Sequence, residues 1–323
     1  MHEIAKNALV TGGTDGIGKE IAFELARRGT IVLIVGRDPD KGKSAARELQ
    51  ERAANANVEF FPSDLTSMAE AAGLARFVAA RWHQLHYLVH SAGFVRGKHV
   101  LTADGVESNF AVNYLSRFRL TLELLPLLHA GGRSSGVARV LLVGGGATVG
   151  KVHFEDVNLT HYRLRSARAI LQFQCANDIF TIELARRLNP VSPDVGKVNV
   201  NIVKYGIVKT NIRREMPFWL RALSSVGYRF VGQTASQAAA SASRVLFDPE
   251  FERASGAMFL CSPKFKQIAP RPGVASPGQG VRLWALSEKL AGLTYRSAIQ
   301  SRPVSHETDS VRAWAGVEDS SAG

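Results

Sequence analysis

The chain has 323 residues, 46% of them hydrophobic, which is enough to bury one large domain or two small ones. Its net charge of +12 fits nucleic acid, a membrane surface, an anionic ligand or simply a basic surface. Two cysteines outside any C-x-x-C motif exclude a disulfide framework and predict a reducing, cytoplasmic compartment. The sequence predicts no signal peptide and no metal site, and no window of about 18 charge-free apolar residues predicts a membrane-spanning helix.

Apolar, β-branched runs alternate with amphipathic helical patterns along most of the chain. Strands are predicted at 7–13, 30–36, 57–65, 85–93, 138–146 and 198–206, and helices at 16–29, 40–54, 67–82, 107–129, 166–188 and 281–293. Strands this apolar are typical of a parallel sheet covered on both faces. The alternation therefore predicts an α/β fold, with a doubly wound parallel sheet and helices on both faces of a single domain.

The C-terminal third departs from this alternation. We expect residues 1–270 to form the main domain and 271–293 to add a linker and a last helix to it. The stretch 264–280 is rich in Pro, Gly and Lys and is predicted as a linker. Residues 294–323 are polar with little periodicity, which predicts a disordered tail.

The stretch TGGTDGIG (11–18) follows a predicted strand and opens a predicted helix. A tight turn alone would also use glycine, so the flanking strand, helix and second strand carry the interpretation. Together they predict a Rossmann-type dinucleotide site, in which glycines allow close backbone approach and the helix N-terminus faces a pyrophosphate. The predicted cofactor contacts in this turn are Gly12, Thr14, Asp15, Gly16, Ile17 and Gly18.

The end of the second predicted strand indicates which dinucleotide is bound. An acidic residue there would hold a ribose 2′-hydroxyl, but this chain has Arg37, with Lys41 and Lys43 nearby. A guanidinium suits a 2′-phosphate, so NADP(H) is favoured over NAD. The alternative is a solvated arginine at a strand end.

Further motifs follow in the order of a known family. They are SDL (63–65), HSAG (90–93), DGVESNFAVNYLSRFRLT (104–121), FEDVN (154–158), ANDIFTIELARRL (176–188) and LWALSEKLAGL (283–293). With TGGTDGIG, they resemble the short-chain dehydrogenase/reductase family, in its retinol-dehydrogenase-like branch, over roughly residues 6–293. The resemblance implies an NADP(H)-binding oxidoreductase. It also implies cofactor contacts at Asp64, Leu65, Ser91, Ala92, Gly93, Val208 and Thr210, and a structural asparagine of the catalytic site at Asn113.

The catalytic groups of the family are replaced in this chain. The resemblance implies a Ser at a strand end, and a Tyr and a Lys four residues apart on a helix, for proton transfer at a carbonyl oxygen. The matching residues here are Gly145, Ile170 and Gln174. Ordinary alcohol or carbonyl chemistry is therefore not expected from these positions.

Tyr205 and Lys209 reproduce the Tyr-x-x-x-Lys spacing elsewhere, in VKYGIVKT (203–210). The context is a strand running into a loop, where four residues span roughly 13 Å, so the two side chains would not form a coupled pair. Because the loop borders the nicotinamide in the family, Tyr205 remains a candidate proton donor, as do His161 and Tyr162. The alternative for all three is a packed or solvated loop residue.

The region 209–232 covers the substrate in the family and here combines several bases with Phe218 and Trp219. It predicts a basic lid for a hydrophobic or anionic small molecule, a peripheral membrane contact through 213–232, or an ordinary solvated helix. The region lacks the interleaved aromatic and basic residues typical of nucleic-acid binding, so no nucleic-acid partner is predicted. The resemblance to the family implies a homo-oligomer. Three functions stay open: hydride transfer to an activated acceptor such as an iminium or a polarised double bond, a non-redox cyclase or isomerase, and a non-catalytic NADP-binding protein.

Overall fold

The computed structural model describes residues 5–147, 149–188, 195–206, 208, 233–261 and 264–295. The strands in these ranges are β1 Asn7–Thr11, β2 Ile31–Gly36, β3 Val58–Pro62, β4 Tyr87–His90, β5 Ala138–Gly145, β6 Val198–Tyr205, β7 Met258–Leu260 and β8 Lys266–Ile268. They form one sheet in the order β3-β2-β1-β4-β5-β6-β7-β8. All neighbouring pairs are parallel except β7 and β8. The predicted doubly wound parallel sheet is confirmed.

Helices cover both faces of this sheet. They are α1 Gly16–Ala26, α2 Pro39–Ala53, α3 Met68–Arg81, α4 Ser116–Ser135, α5 Arg165–Arg187, α6 Ala235–Phe247, α7 Pro272–Ala275 and α8 Pro277–Ala291. One core lies between the sheet and α1, α2 and α6, and a second lies between the sheet and α3, α4, α5 and α8. The predicted helices begin where the sequence supplies caps: Asp38 accepts from two backbone N–H groups of α2, and Ser67 accepts from Glu70 N of α3.

The prediction of a linker at 264–280 is wrong in part. This segment supplies β8, which pairs antiparallel with β7, and then α7 and the first turn of α8. The two strands have three residues each, too few for an alternating pattern to be visible in the sequence. The predicted tail lies outside the described residues from 296 onward.

The strand order reverses between β1 and β4, which are adjacent in the sheet while β2 and β3 lie on the other side of β1. In open sheets of this kind, ligands bind outside the carboxyl ends of the strands at such a switch point. The loops after β1, β2, β3, β4, β5 and β6 are therefore the first place to look for a site.

Candidate active site

The turn between β1 and α1 forms a backbone cradle at the switch point. Gly12 and Gly16 have φ angles of +68° and +56°, in the region that favours glycine. A Cβ at Gly12 would lie 2.7 Å from the backbone of Ala92, and one at Gly18 would lie 2.3 Å from Gly12 O. Close approach as well as conformation therefore requires glycine. The cradle fits a pyrophosphate, because Gly12, Gly16 and Gly18 have no side chain that would keep a ligand away from the backbone at the start of α1.

Asp15 caps the first turn of α1 beside this cradle. Its Oδ1 accepts a hydrogen bond from Gly16 N at 2.7 Å, and its Oδ2 forms an ion pair with Lys41 of α2. The lysine charge offsets a carboxylate that would otherwise repel a phosphate at the helix N-terminus. Thr14 closes the turn against β2, since a Cβ at Gly36 would lie 2.7 Å from Thr14 Cγ2.

The other predicted cofactor residues lie at the same edge of the sheet. They are Ile17 in α1, Arg37 after β2, Asp64 and Leu65 after β3, and Ser91, Ala92 and Gly93 after β4. The β4 loop contacts the glycine-rich turn directly: Ser91 N donates to Thr11 O at 3.2 Å, and Ala92 N donates to Thr11 Oγ1 at 3.3 Å. The structure thus places the predicted residues from Gly12 to Gly93 at one edge of the sheet, with the loop after β4 in contact with the glycine-rich turn.

Two arginines converge on the ring of Phe94 next to the cradle. The guanidinium carbon of Arg37 lies 5.5 Å from the ring centroid, and that of Arg96 lies 5.0 Å from it. Arg37 therefore reaches from the end of β2 to the loop after β4. Arg96 was not predicted, because the loop after HSAG carries no recognisable motif. Two guanidinium groups at one end of the cleft suit a phosphate.

A π-helical turn, Ala111–Leu115, carries Asn113 at the start of α4. Such turns are frequent at functional sites. Asn113 Nδ2 donates to Phe94 O at 2.9 Å and to Asn109 O at 2.8 Å. Its backbone carbonyl accepts from Asn177 Nδ2 of α5 at 2.9 Å. Asn113 therefore ties the β4 loop to α5, in keeping with a structural role.

Gly145 and Gln174 meet at the carboxyl end of β5. A Cβ at Gly145 would lie 2.8 Å from Gln174 Oε1, and this oxygen accepts a hydrogen bond from Ala147 N at 3.1 Å. Ile170 lies four residues before Gln174 on α5, so the two side chains share a helix face. The positions that the resemblance assigns to Ser, Tyr and Lys are thus gathered in one place without a hydroxyl, a phenol or an ammonium group.

The structure does not place Tyr205 in this group, which corrects its candidacy as a proton donor. Tyr205 ends β6 and packs in the core beside α6, whereas Gln174 lies on α5 across the sheet. The phenol is 3% exposed and its hydroxyl donates to Ala238 O at 2.6 Å. Burial raises the pKa of Tyr205 well above its usual value. Val208 is buried in the same core, while Thr210 and Lys209 lie outside the described residues.

We expect Tyr205→Phe to leave cofactor binding and any turnover within a few-fold of wild type. The variant loses one buried hydrogen bond to Ala238, which should lower the free energy of unfolding by about 1 kcal/mol. Urea unfolding measures the stability, NADPH titration measures cofactor binding, and the loss of NADPH absorbance measures turnover. A fall in turnover of about 10²-fold or more would show that Tyr205 supplies a proton after all.

Tyr162 has a titratable partner that the sequence did not reveal. Its hydroxyl lies 2.8 Å from His153 Nδ1, and the two ring centroids are 4.4 Å apart. Burial, followed by the charges of Lys151 and Arg168, lowers the pKa of His153. The neutral imidazole can therefore accept a hydrogen bond from the phenol. His161 is exposed, and its backbone N–H donates to Asp156.

A buried ion pair lies one turn beyond Gln174. Lys204 Nζ of β6 is 2.6 Å from Asp178 Oδ2 of α5, and the two side chains are 2% and 4% exposed. Asp178 Oδ1 has no hydrogen-bond partner in the described part of the chain, and burial raises the pKa of this carboxyl. The signal for this pair was two charged residues inside otherwise apolar segments, IVKYG and CANDIF.

Residues 6–153 match the family described as short chain dehydrogenase. Retinol dehydrogenase 13 of Homo sapiens is 31% identical over 293 residues, which cover 89% of this chain and 85% of that protein. The chain belongs to the short-chain dehydrogenase family. Within it, the predicted retinol-dehydrogenase-like branch is confirmed: retinol dehydrogenase 12 of Mus musculus is 33% identical over 291 residues, 90% of this chain and 87% of its own.

The chain is also similar to a further dehydrogenase and to two solved structures. Polyprenol dehydrogenase of Mus musculus is 34% identical over 226 residues, 70% of this chain and 65% of that protein. Among solved structures, an uncharacterised protein of Mycobacterium paratuberculosis superposes with a TM-score of 0.70 at 26% identity, covering 90% of this chain and 94% of its own. The NADP complex of RhlG from Pseudomonas aeruginosa superposes with a TM-score of 0.62 at 26% identity, covering 81% and 98%.

No helix in the described residues has the length and apolar character needed to cross a membrane. In the same ranges, no group of three or more His, Cys, Asp or Glu side chains is arranged to hold a metal ion. The segment 213–232, predicted as a membrane contact or lid, lies outside the described residues.

Proposed function

We propose that this chain is an NADP(H)-dependent oxidoreductase that transfers hydride with an activated, hydrophobic small molecule and without a tyrosine acid. NADP(H) as the cofactor is supported by the glycine cradle, by Arg37 and Arg96 beside it, and by the relative solved with NADP. A hydrophobic substrate is supported by relatives named for retinol and polyprenol.

Different segments along the carboxyl edge of the sheet would bind different parts of the cofactor. The β1–α1 turn would hold the pyrophosphate, and Arg37 would hold the 2′-phosphate. The loops after β4 and β5 would bound the nicotinamide half of the cleft, since a dinucleotide crosses the switch point. A bound NADPH supplies the hydride. Asn113 hydrogen-bonds to both the β4 loop and α5 and so holds these two segments at a fixed distance on the nicotinamide side of the cleft.

The contact between Gly145 and Gln174 carries the proposal of atypical chemistry. The resemblance assigns these positions to groups that act on a carbonyl oxygen, yet a glycine and an amide oppose each other there, with Ile170 one turn away. An amide can orient a polar group but cannot supply a proton at neutral pH. An acceptor that takes hydride before it is protonated, such as an iminium or a polarised double bond, avoids this need.

Two other functions use the same architecture. A cyclase or isomerase would keep the nucleotide as structure and orient a reaction in the pocket. A non-catalytic protein would bind NADP(H) and signal its presence to a partner. The intact glycine cradle supports nucleotide binding in all three, so binding alone does not distinguish them.

The experiment that tests the proposal follows NADPH absorbance by stopped flow with matched aldehyde, enone and iminium substrates bearing the same apolar tail. We expect oxidation of NADPH with an activated acceptor, at a rate that saturates with substrate. Tight NADPH binding with no oxidation by any class would overturn hydride transfer. Substrate rearrangement without loss of NADPH, detected by chromatography, would favour the isomerase.

Cofactor preference depends on Arg37. We expect NADPH to bind more tightly than NADH, and Arg37→Ala to remove on the order of 1–3 kcal/mol of that preference, the usual value of a hydrogen bond to a charged group. Fluorescence titration with both nucleotides measures it. Lys43→Ala is the matched control, because it removes a nearby exposed cation. Equal affinities of the wild type for the two nucleotides would contradict the assignment.

A further inference from the structure

Arg117 is a cation buried in α4 with no counter-ion among the described residues. Its residue is 5% exposed, and it forms no ion pair with a carboxylate in the described ranges. Nε has no hydrogen-bond partner among the described residues. Buried arginines are normally paired, because an isolated charge is expensive to remove from water. The position therefore calls for a reason other than packing.

The guanidinium group contacts the two segments that would bound the nicotinamide half of the proposed cleft. Nη2 donates to Ala92 O at 3.0 Å, and Nη1 donates to Val143 O at 2.9 Å. A Cβ at Gly93 would lie 3.8 Å from Nη2. Arg117 thus contacts both the loop after β4 and the end of β5, and these segments would bound the nicotinamide ring of a dinucleotide at the switch point.

No neighbouring side chain in the described part of the chain compensates the charge of Arg117. Burial lowers the pKa of Arg117 to about 9, so the group stays protonated at neutral pH. Asn177 contributes only an amide oxygen, 3.4 Å from Nη1. Burial and then the charge of Arg117 hold the pKa of His90 well below its usual value, so the imidazole is neutral. Lys204 and Asp178 neutralise each other.

We propose that Arg117 is a positioning residue that fixes a positive charge under the nicotinamide site and thereby favours NADPH over NADP⁺. The inference rests on the proposed function, since it requires the dinucleotide in this cleft. The reduced ring is neutral and the oxidised ring is cationic, so a fixed cation discriminates between them. The resemblance implies a lysine at position 174, but Gln174 stands there and is uncharged.

The charge also selects among the acceptors. Hydride addition to the β-carbon of an enone moves the double-bond electrons onto the carbonyl oxygen, and water later protonates the resulting enolate, while NADPH becomes NADP⁺. The anion is stabilised by a buried cation, whereas an iminium substrate is repelled by it. The acceptor class that fits this site is therefore a neutral conjugated carbonyl compound.

The test measures the Kd values of NADPH and NADP⁺ for wild type, Arg117→Met and Arg117→Lys by calorimetry. We expect the wild type to bind NADPH at least about 10-fold more tightly, and Arg117→Met to lose about 10-fold of that ratio, equivalent to about 1.4 kcal/mol. Arg117→Lys should keep it, because the charge remains. Arg119→Met is the control on the same helix, since Arg119 pairs with Glu123.

A merely structural Arg117 would change both affinities together and leave their ratio unchanged, and that result would overturn the inference. Equal wild-type affinities would overturn it as well, even if the Met variant fails to fold. If neither nucleotide binds, the proposed function is wrong, and the inference about Arg117 fails with it. In the substrate assay, an iminium preferred over the matched enone by wild type would also contradict it.

Discussion

Wild-type protein should reduce simple aldehydes at close to the uncatalysed rate, and the triple variant Gly145→Ser, Ile170→Tyr, Gln174→Lys should accelerate this reaction by about 10²-fold or more. A general acid supplies typically about 10²–10⁴-fold. A hydrogen-bond donor to the oxyanion supplies roughly 10²–10³-fold more. The groups act as a unit, so the two factors should not be multiplied.

The contact at the end of β5 explains why the three changes belong together. A serine side chain at Gly145 would collide with Gln174, whose Oε1 and Cδ would lie 2.8 and 2.9 Å from the new Cβ. The serine therefore needs a side chain at 174 that can turn away. Gly145→Ser alone should gain no activity.

The matched control moves the serine by one residue. Gly144→Ser with the same two changes on α5 carries the same side chains, but its Cβ would lie 3.1 Å from Ile202 Cδ1. It should show no gain. NADPH oxidation with retinal-like and small aldehydes measures the rates, and NADPH titration shows that each variant binds cofactor.

Two outcomes would contradict this account. Efficient aldehyde reduction by wild type would mean that another group supplies the proton, and the pair Tyr162 and His153 would be examined first. No gain in a folded triple variant that binds NADPH would mean that the pocket is shaped for something other than carbonyl chemistry.

The second large effect concerns stability. Lys204→Met should lower the free energy of unfolding by about 3–5 kcal/mol, because it leaves the carboxylate of Asp178 buried and unpaired. The double variant Lys204→Met, Asp178→Leu should recover most of this loss, since neither charge remains. Urea unfolding measures both variants.

The matched control is an exposed ion pair. Arg81→Met removes the ion pair to Glu59, in which the two side chains are 43% and 46% exposed, and should cost at most about 1 kcal/mol. A loss for Lys204→Met no larger than that of the control would mean that water reaches the buried pair. Failure of the double variant to recover would assign Lys204 a role beyond neutralising Asp178.

The sequence predicted the fold well because the signals were long and local. Strands β1, β2, β4 and β5 each contain a run of three or more apolar residues, and β6 alternates Val with Asn over its first half. The helices between the strands keep their period over several turns. The glycine-rich turn was predictable because its spacing is set by backbone geometry, seen here in the positive φ of Gly12 and Gly16. β7 and β8 were not predicted, because strands of three residues are too short to show a period in the sequence.

The rest of the site could not be predicted, because it depends on contacts between distant segments. Arg117 in SRFRLT looks like any helix surface residue until α5 and the strand ends cover it. Lys204 and Asp178 are 26 residues apart, and their pairing needs the register of β6 against α5. Tyr205 followed a family spacing, yet the alternation of a strand turned its phenol to the far face.

The two outer strands of the sheet bear on how the protein behaves in crowded solution. β3 carries Glu59, paired with Arg81, and ends at Pro62, while β8 is three residues long and begins with the exposed Lys266. Charge, proline and short length each discourage a second chain from adding as a new strand. The parallel strands between them, which are apolar and aggregation-prone when bare, are thus shielded at both borders. Self-association of the folded protein should proceed through its helical faces, and the sheet should resist growth into fibrils.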